Sequence, residues 1–365
     1  MHTNEISSNS TEQDADVNNN TSDELAFHDI THPPFDVPGF PWLRENGNWF
    51  RLPMAQMPTL RDGLTWVAWQ PAGNMVRVRS NSRRIAVKVQ LLRNETFAHS
   101  TQMQQSGIDI YLGTGSDSTF LQNLAPARSV RRYRAEAVLP PADGMTDITF
   151  YLPLLNPLRR LQVGVEAGST LSAPTPFPGA KPIAYYGSSI TQGFCASRPG
   201  LTYPALLGRA LNMPWINLGF GGNALGDREV AEAISSLELS ALVLDYDHNA
   251  GSAEFLEQTH AAFFAIIRKR QPLLPVLILT APTYYADAAY YANRAAVIQR
   301  TYQHARAAGD RHVYFLHGET FFPERGWKDR TVDGTHPNDL GFHEMAQAIL
   351  PVLRLALAEQ DTIPS

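Results

Sequence analysis

A single cysteine, Cys195, in 365 residues leaves no partner for an internal disulfide and no set of thiols for a metal. Positive charge is not in excess either. With 30 Lys and Arg against 35 Asp and Glu the formal net charge is -5, so no basic face calls for nucleic acid. The densest basic run, Arg77, Arg79, Arg83 and Arg84, alternates with Val76 and Val78 and reads as the solvated face of a strand. No run of 18 apolar residues is present to cross a bilayer. The opening MHTNEISSNSTEQDADVNNNTSDE has neither a basic n-region nor an apolar h-region. A disulfide scaffold, a nucleic-acid partner and a membrane partner are therefore not expected, and the expected compartment is the cytoplasm.

Hydrophobic residues make up 44% of the chain and charged residues 18%, which is ample for buried cores and too little net charge for a disordered polymer. The length suggests two domains. Residues 1–23, rich in Asn, Ser, Thr, Asp and Glu, read as a flexible tail. Over 24–171 the dominant period is two. In Arg84 to Gln90, for example, Ile85, Val87 and Val89 fall opposite Ala86, Lys88 and Gln90. Similar runs at Leu64 to Trp69, Ile108 to Leu112, Ile148 to Leu154 and Leu161 to Val165 lie between turn residues, which predicts an antiparallel β-sandwich. Residues 172–181, with three prolines and a glycine, read as a linker.

From 182 to 360 the pattern changes to short apolar runs alternating with longer helical segments, as in a parallel sheet covered on both faces. The expected strands are Ile183 to Tyr186, Trp215 to Leu218, Ala241 to Asp245, Val276 to Thr280 and His312 to Leu316. Five such strands suggest a flavodoxin-like α/β domain. Its helices are expected over Tyr203 to Leu211, Glu229 to Leu237, Ala253 to Arg270, Ala288 to Ala308 and Leu340 to Ala358.

Open parallel sheets bind ligands at the carboxyl ends of their strands. There the first strand runs into Gly187-Ser188-Ser189-Ile190-Thr191-Gln192-Gly193, where a serine can lie beside the free N–H groups of a helix start, although taken alone such a turn is better read as simple capping. After the second strand stands Gly219-Phe220-Gly221-Gly222-Asn223, and after the third Asp247-His248-Asn249. Before the last helix comes Asp333-Gly334-Thr335-His336. A spacing of three lets that carboxylate fold back on the near ring nitrogen and leave the far one free to take a proton.

The order serine, glycine, asparagine, Asp-x-x-His resembles the SGNH (GDSL-like) hydrolase superfamily over roughly residues 181–358. The resemblance implies a three-layer αβα hydrolase domain with Ser189 as nucleophile, His336 as general base and Asp333 as its orienting carboxylate. It further implies an oxyanion hole made of the N–H groups of Ser189 and Gly222 and the side chain of Asn249. Gly107-Ile108-Asp109-Ile110-Tyr111 resembles the Gly-x-Asp-Leu-Tyr signature of a jelly-roll-like β-domain found ahead of one SGNH subgroup. Asn48 to Pro53 and Tyr151 to Leu154 are similar to that subgroup as well. In this sequence Ser188 stands at the Asp of Gly-Asp-Ser, Gly221 at the usual serine of the second block, and the third block keeps only its amide.

The implied reaction is acyl transfer from short, chiefly acetyl, esters on sugars, with no cofactor and no metal. The expected partner is a small ester or acetylated sugar, and a homo-oligomer stays open. Tyr284 and Tyr285, after the fourth strand, are the expected cleft wall. Trp49, Trp66 and Trp69 are candidates for stacking on sugar rings, although tryptophan in a sandwich is more often core. The rival readings are a lipase or thioesterase for longer acyl chains, a non-catalytic carbohydrate-binding protein, and a zinc hydrolase built on His317, His336 and His343, whose spacing resembles no ligand set.

Overall fold

The computed structural model describes residues 25–179, 181–282, 288–323 and 325–361. The tail expected over 1–23 and the pair Tyr284 and Tyr285 lie outside them. Nine strands build the first domain: β1 (Leu25–Asp29), β2 (Met75–Ser80), β3 (Arg84–Leu91), β4 (Ile108–Leu112), β5 (Thr119–Leu124), β6 (Arg132–Val138), β7 (Thr146–Tyr151), β8 (Leu158–Glu166) and β9 (Leu171–Ser172). They form two antiparallel sheets of order β1-β8-β3-β6 and β5-β4-β7-β2-β9. Because alternate residues face inward, Val76 and Val78 of β2, Ile85, Val87 and Val89 of β3 and Ile148 and Phe150 of β7 meet in one buried core. The short helices α1 (Leu43–Asn46), α2 (Asp62–Ala68) and α3 (Gln102–Gln105) lie between the strands in sequence.

The second domain holds β10 (Ile183–Gly187), β11 (Trp215–Gly219), β12 (Ala241–Asp245), β13 (Val276–Leu279) and β14 (Val313–Leu316). All pairings are parallel, in the order β11-β10-β12-β13-β14, which is the flavodoxin-like order. The short α4 (Ser189–Gln192) follows β10. Helices α5 (Tyr203–Leu211) and α9 (Asp339–Asp361) pack together, while α6 (Arg228–Ser235), α7 (Ala253–Arg270) and α8 (Ala288–Ala307) form a second packed set. Chain order reverses at β10, whose neighbours are β11 and β12, so the crevice for a ligand is expected at the carboxyl ends of these three strands.

The two domains share their cores. Trp42, Phe50, Leu52, Leu64, Val67 and Ala68 from the first half pack with Ile216, Leu218, Leu242 and Phe263 of the second. Arg51 is 1% exposed. Its Nη1 donates to the Asn217 carbonyl at 2.9 Å, its Nη2 to that of Val67 at 3.0 Å, and its Nε to that of Gln70. Burial without a carboxylate partner pulls this guanidinium down to about 9. The Gly-Ile-Asp-Ile-Tyr motif is part of the same seam. Asp109, fully buried on β4, accepts from Arg198 Nη1 at 2.8 Å and from the Gly200 N–H at 2.7 Å, and Tyr111 Oη accepts from Arg198 at 2.9 Å. A Cβ at Gly107 would collide with Asn123 and the Met103 carbonyl, which explains glycine at the head of the motif.

Two expectations are corrected. The run Leu64 to Trp69 is not a strand but belongs to α2 and its C-cap, because its buried residues, Leu64, Val67 and Ala68, follow the helical spacing of three and four. The arginines of 77 to 84 are not one solvated face. Arg77 is 4% exposed, lies 3.8 Å over the Phe177 ring, 3.8 Å from Asp36, and donates to the Thr175 carbonyl at 2.7 Å. The chain leaving the sandwich covers it.

Candidate active site

Strand β10 ends in Gly187 because a Cβ there would run into Thr191 and the Asp245 carbonyl. The chain turns at once into α4. Ser188, fully buried, caps it by accepting from the Ile190 N–H at 3.2 Å, so a serine fills the acceptor position that Asp also fills at helix starts. Ser189 is the first helical residue. Its hydroxyl lies 2.8 Å from His336 Nε2, and His336 Nδ1 lies 2.7 Å from Asp333 Oδ2. The other carboxylate oxygen accepts from the N–H groups of His336 at 2.8 Å and Thr335 at 2.9 Å. Burial by itself would raise the Asp333 carboxyl, but these hydrogen bonds outweigh it and hold the group below its ordinary value. The three side chains read from the sequence are thus brought together, over 147 residues of chain.

The same cleft, about 500 Å³, is lined by Ser189, Gly221, Gly222, Asn249 and His336. Gly222 sits in the left-handed region at φ 68°, and neither its N–H nor that of Ser189 has a hydrogen-bond partner among the described residues. Asn249 accepts from the Ala224 N–H at 3.2 Å through Oδ1, which leaves its amide N–H₂ as a donor. Ser189, Gly222 and Asn249, each with an unengaged donor, thus line one cleft with the serine hydroxyl, a composition suited to an oxygen that gains negative charge. His248, also in the wall, is pulled down to about 4 by burial, with Asp247 opposing and the charges of Arg294 and His336 adding to the fall. It stays a neutral imidazole.

The sequence did not point to the opposite wall. Trp66, Val67, Gln70, Glu95, Phe97 and Leu155 come from the sandwich domain, and Phe194 lies edge-on to the His336 ring at 4.8 Å between centroids. Trp66 alone carried a signal, as a tryptophan free to stack. Trp49 is 3% exposed and belongs to the sandwich core, and Trp69 packs on Phe50, so neither faces the cleft. The three histidines of the zinc reading do not gather. Among the described residues the single cluster of metal-ligating type is Cys195, Asp333 and His336. Burial, and then the Asp333 charge, pushes the Cys195 thiol up to about 12, so it remains protonated.

Beneath the serine turn, Asp245 is 2% exposed and accepts from Thr191 Oγ1 at 2.9 Å and Tyr203 Oη at 3.2 Å. Burial, with the Asp247 charge adding, pushes its carboxyl up to about 7 against those bonds. The folded protein then holds a proton that the unfolded chain has released above about pH 4. The stability linked to that proton is complete below the unfolded value and lost as pH rises through the folded one. Its size is roughly 4 kcal/mol. Asp245→Asn, which cannot ionise, should flatten this loss. Urea midpoints of the two proteins should diverge between about pH 4 and 8, and parallel curves would contradict the assignment.

The fold and the sequence together define an ester hydrolase. Residues 180–354 match the model described as GDSL-like lipase/acylhydrolase family, and residues 25–171 match that described as the N-terminus of Esterase_SGNH_hydro-type. The chain belongs to the GDSL-like lipase/acylhydrolases of the SGNH type, in the form that carries this N-terminal β-domain. Among solved structures it is similar to a GDSL-like lipase from Bacteroides ovatus ATCC 8483, with 26% identity, TM-score 0.82, and coverage of 92% of this chain and 98% of that one. It also resembles the salicylyl-acyltransferase SsfX3 of a tetracycline biosynthetic pathway, at 22% identity and TM-score 0.74, covering 93% and 98%. A family two carbohydrate esterase from Cellvibrio japonicus shares the fold at 14% identity and TM-score 0.61, covering 92% and 98%. No curated protein matches. Among the described residues no helix is long and apolar enough to cross a membrane.

Proposed function

We propose that the protein hydrolyses short acyl esters, chiefly acetyl esters of sugars, by acyl transfer through Ser189. The observation that carries this reading is the unbroken line of hydroxyl, imidazole and carboxylate, 2.8 and 2.7 Å apart, beside three unclaimed donors. His336 takes the Ser189 proton as the hydroxyl attacks the ester carbonyl, and returns it to the departing alcohol. Water then repeats the sequence on the acyl-serine, releasing the acid and restoring Ser189. The N–H groups of Ser189 and Gly222 and the amide of Asn249 hold the tetrahedral oxygen, and Asp333 fixes the imidazole with its proton on Nδ1. Hydrolysis of an aryl acetate and of acetylated sugars, with fluorophosphonate labelling of Ser189, tests the reading. An unlabelled serine and no ester turnover would end it.

Support for a sugar on the alcohol side comes from Trp66. It is 51% exposed on the cleft rim, with Arg93 stacked 3.6 Å over its ring, and Glu95 lines the cleft beside it. Arg93 covers one ring face and pairs with Glu95 Oε1, and a half-exposed indole beside a second carboxylate oxygen suits a pyranose, whose C–H face packs on a ring while its hydroxyls donate. A family two carbohydrate esterase from Clostridium thermocellum, similar in fold at 13% identity and TM-score 0.59, has been solved in complex with cellohexaose. Trp66→Ala should lower kcat/KM for an acetylated oligosaccharide roughly tenfold, the equivalent of about 1.4 kcal/mol, and leave ethyl acetate within about twofold. Equal losses on both esters would count against a sugar platform. The apolar group of Phe97, Leu155 and Phe194 in the same cleft favours longer acyl chains as the second reading. A profile of alkanoate chain length that peaks beyond acetate would select it.

A further inference from the structure

The glycine turn after β11 is held by the other domain. On one side of it, Arg61 pairs with Asp227 through two bonds of 2.6 and 2.9 Å and donates to the Asn223 carbonyl at 2.9 Å. Gly63, near the start of α2, lies so close to Asn223 that a Cβ would strike its side chain. On the other side the Gly221 N–H donates to Gln192 Oε1 at 2.8 Å. That bond dictates how the Gln192 amide faces. With its oxygen committed, its nitrogen must donate, and it does so to Gln70 Oε1 at 2.6 Å and to the Leu154 carbonyl at 3.2 Å. Both glutamines are buried, Gln70 at 4% and Gln192 at 2% exposure, with an edge of each on the cleft, so an amide left without its partner there carries a desolvation cost. The acceptors on Gln192 Nε2 both belong to the sandwich domain.

We propose that Gln70 is a positioning residue for the oxyanion hole, acting through Gln192 on Gly221 so that the next N–H, that of Gly222, is presented to the cleft. This rests on the esterase reading for its kinetic consequence, though not for its structural one. Ser189 and Gln192 share a single turn of α4, and a Cβ on Gly221 would stand 3.4 Å from that of Ser189. A rotation of the Gly221 peptide therefore alters the distance between nucleophile and donor directly. Donors work only where the charge develops, and a misplacement of about 1 Å can cost on the order of a hundredfold in rate. In this arrangement the β-domain completes the site instead of merely walling it.

The test compares Gln70→Met, which keeps the volume and removes the acceptor, with Gln70→Glu, which keeps an acceptor oxygen. On an aryl acetate, Q70M should lower kcat on the order of tenfold with KM within about threefold, and Q70E should recover most of the loss. In parallel, amide hydrogen exchange at Gly221 should quicken at least about tenfold in Q70M and return toward the wild-type rate in Q70E. If Q70M does not fold, Q70A carries the same comparison. Wild-type kcat in a folded Q70M, a loss confined to KM, or failure of Q70E to recover would overturn the proposal. If the wild type hydrolyses no ester, the esterase reading fails by itself, and the exchange of the Gly221 amide still decides for or against the relay.

Discussion

Replacing Ser189 by alanine should abolish ester hydrolysis, with a fall in kcat on the order of 10⁴ to 10⁶ and little change in stability. The neighbouring hydroxyl cannot take over. Ser188 is fully buried and turned toward the Ile190 N–H, whereas Ser189 faces His336 Nε2 at 2.8 Å. Ser188→Ala is the informative control, because losing a cap costs on the order of 1 kcal/mol of stability without removing a reacting atom. Its kcat should stay within about tenfold of the wild type. Should Ser188→Ala be the inactive variant and Ser189→Ala the active one, the assignment of the nucleophile would be reversed.

Asp333→Asn should lower kcat on the order of 10⁴ while the fold persists. The carboxylate accepts three hydrogen bonds, two from backbone N–H groups and one from the His336 ring. An amide can keep the backbone bonds through its oxygen. It then turns its N–H₂ toward Nδ1, which forces the ring proton to Nε2, where it confronts the hydroxyl it should deprotonate. The sign of any pH effect also follows. A carboxyl held below its ordinary value keeps its contribution as pH falls and loses it only through that lowered value. A loss of activity above about pH 4 in the wild type therefore has another origin than Asp333. Full activity in the asparagine variant would remove this carboxylate from the mechanism.

Ser189, Asp333 and His336 were legible because each lies in a short local pattern, Ser189 just past the end of β10 and Asp333 with His336 just ahead of α9. Asp333 and His336 need only one turn of chain to meet, and Ser189 is set by the strand and helix that flank it. The parallel sheet was equally readable, since β10 to β13 are short, mainly apolar runs buried on both faces, and only the edge strand β14 is part-exposed beyond Val313. What was hidden is long in sequence and plain in composition. Gln70 and Gln192 are 122 residues apart, and glutamine carries no signature that sets a relay apart from a surface amide. Leu64 to Trp69 misled because six apolar and β-branched residues fit strand and helix alike, and the decision came from packing on the second domain. Arg77 misled similarly, as nothing local reports that Phe177 and Thr175 will cover it.

The shared hydrophobic seam has a consequence for inheritance. Trp42, Phe50 and Leu52 fill spaces among Ile216, Leu218 and Phe263 that solvent would otherwise enter. A gene rearrangement carrying residues 180–354 away alone would yield a product with a greasy wound and a loosened glycine turn. Two modules joined in this way drift as a couple, each substitution at the seam judged by its opposite number.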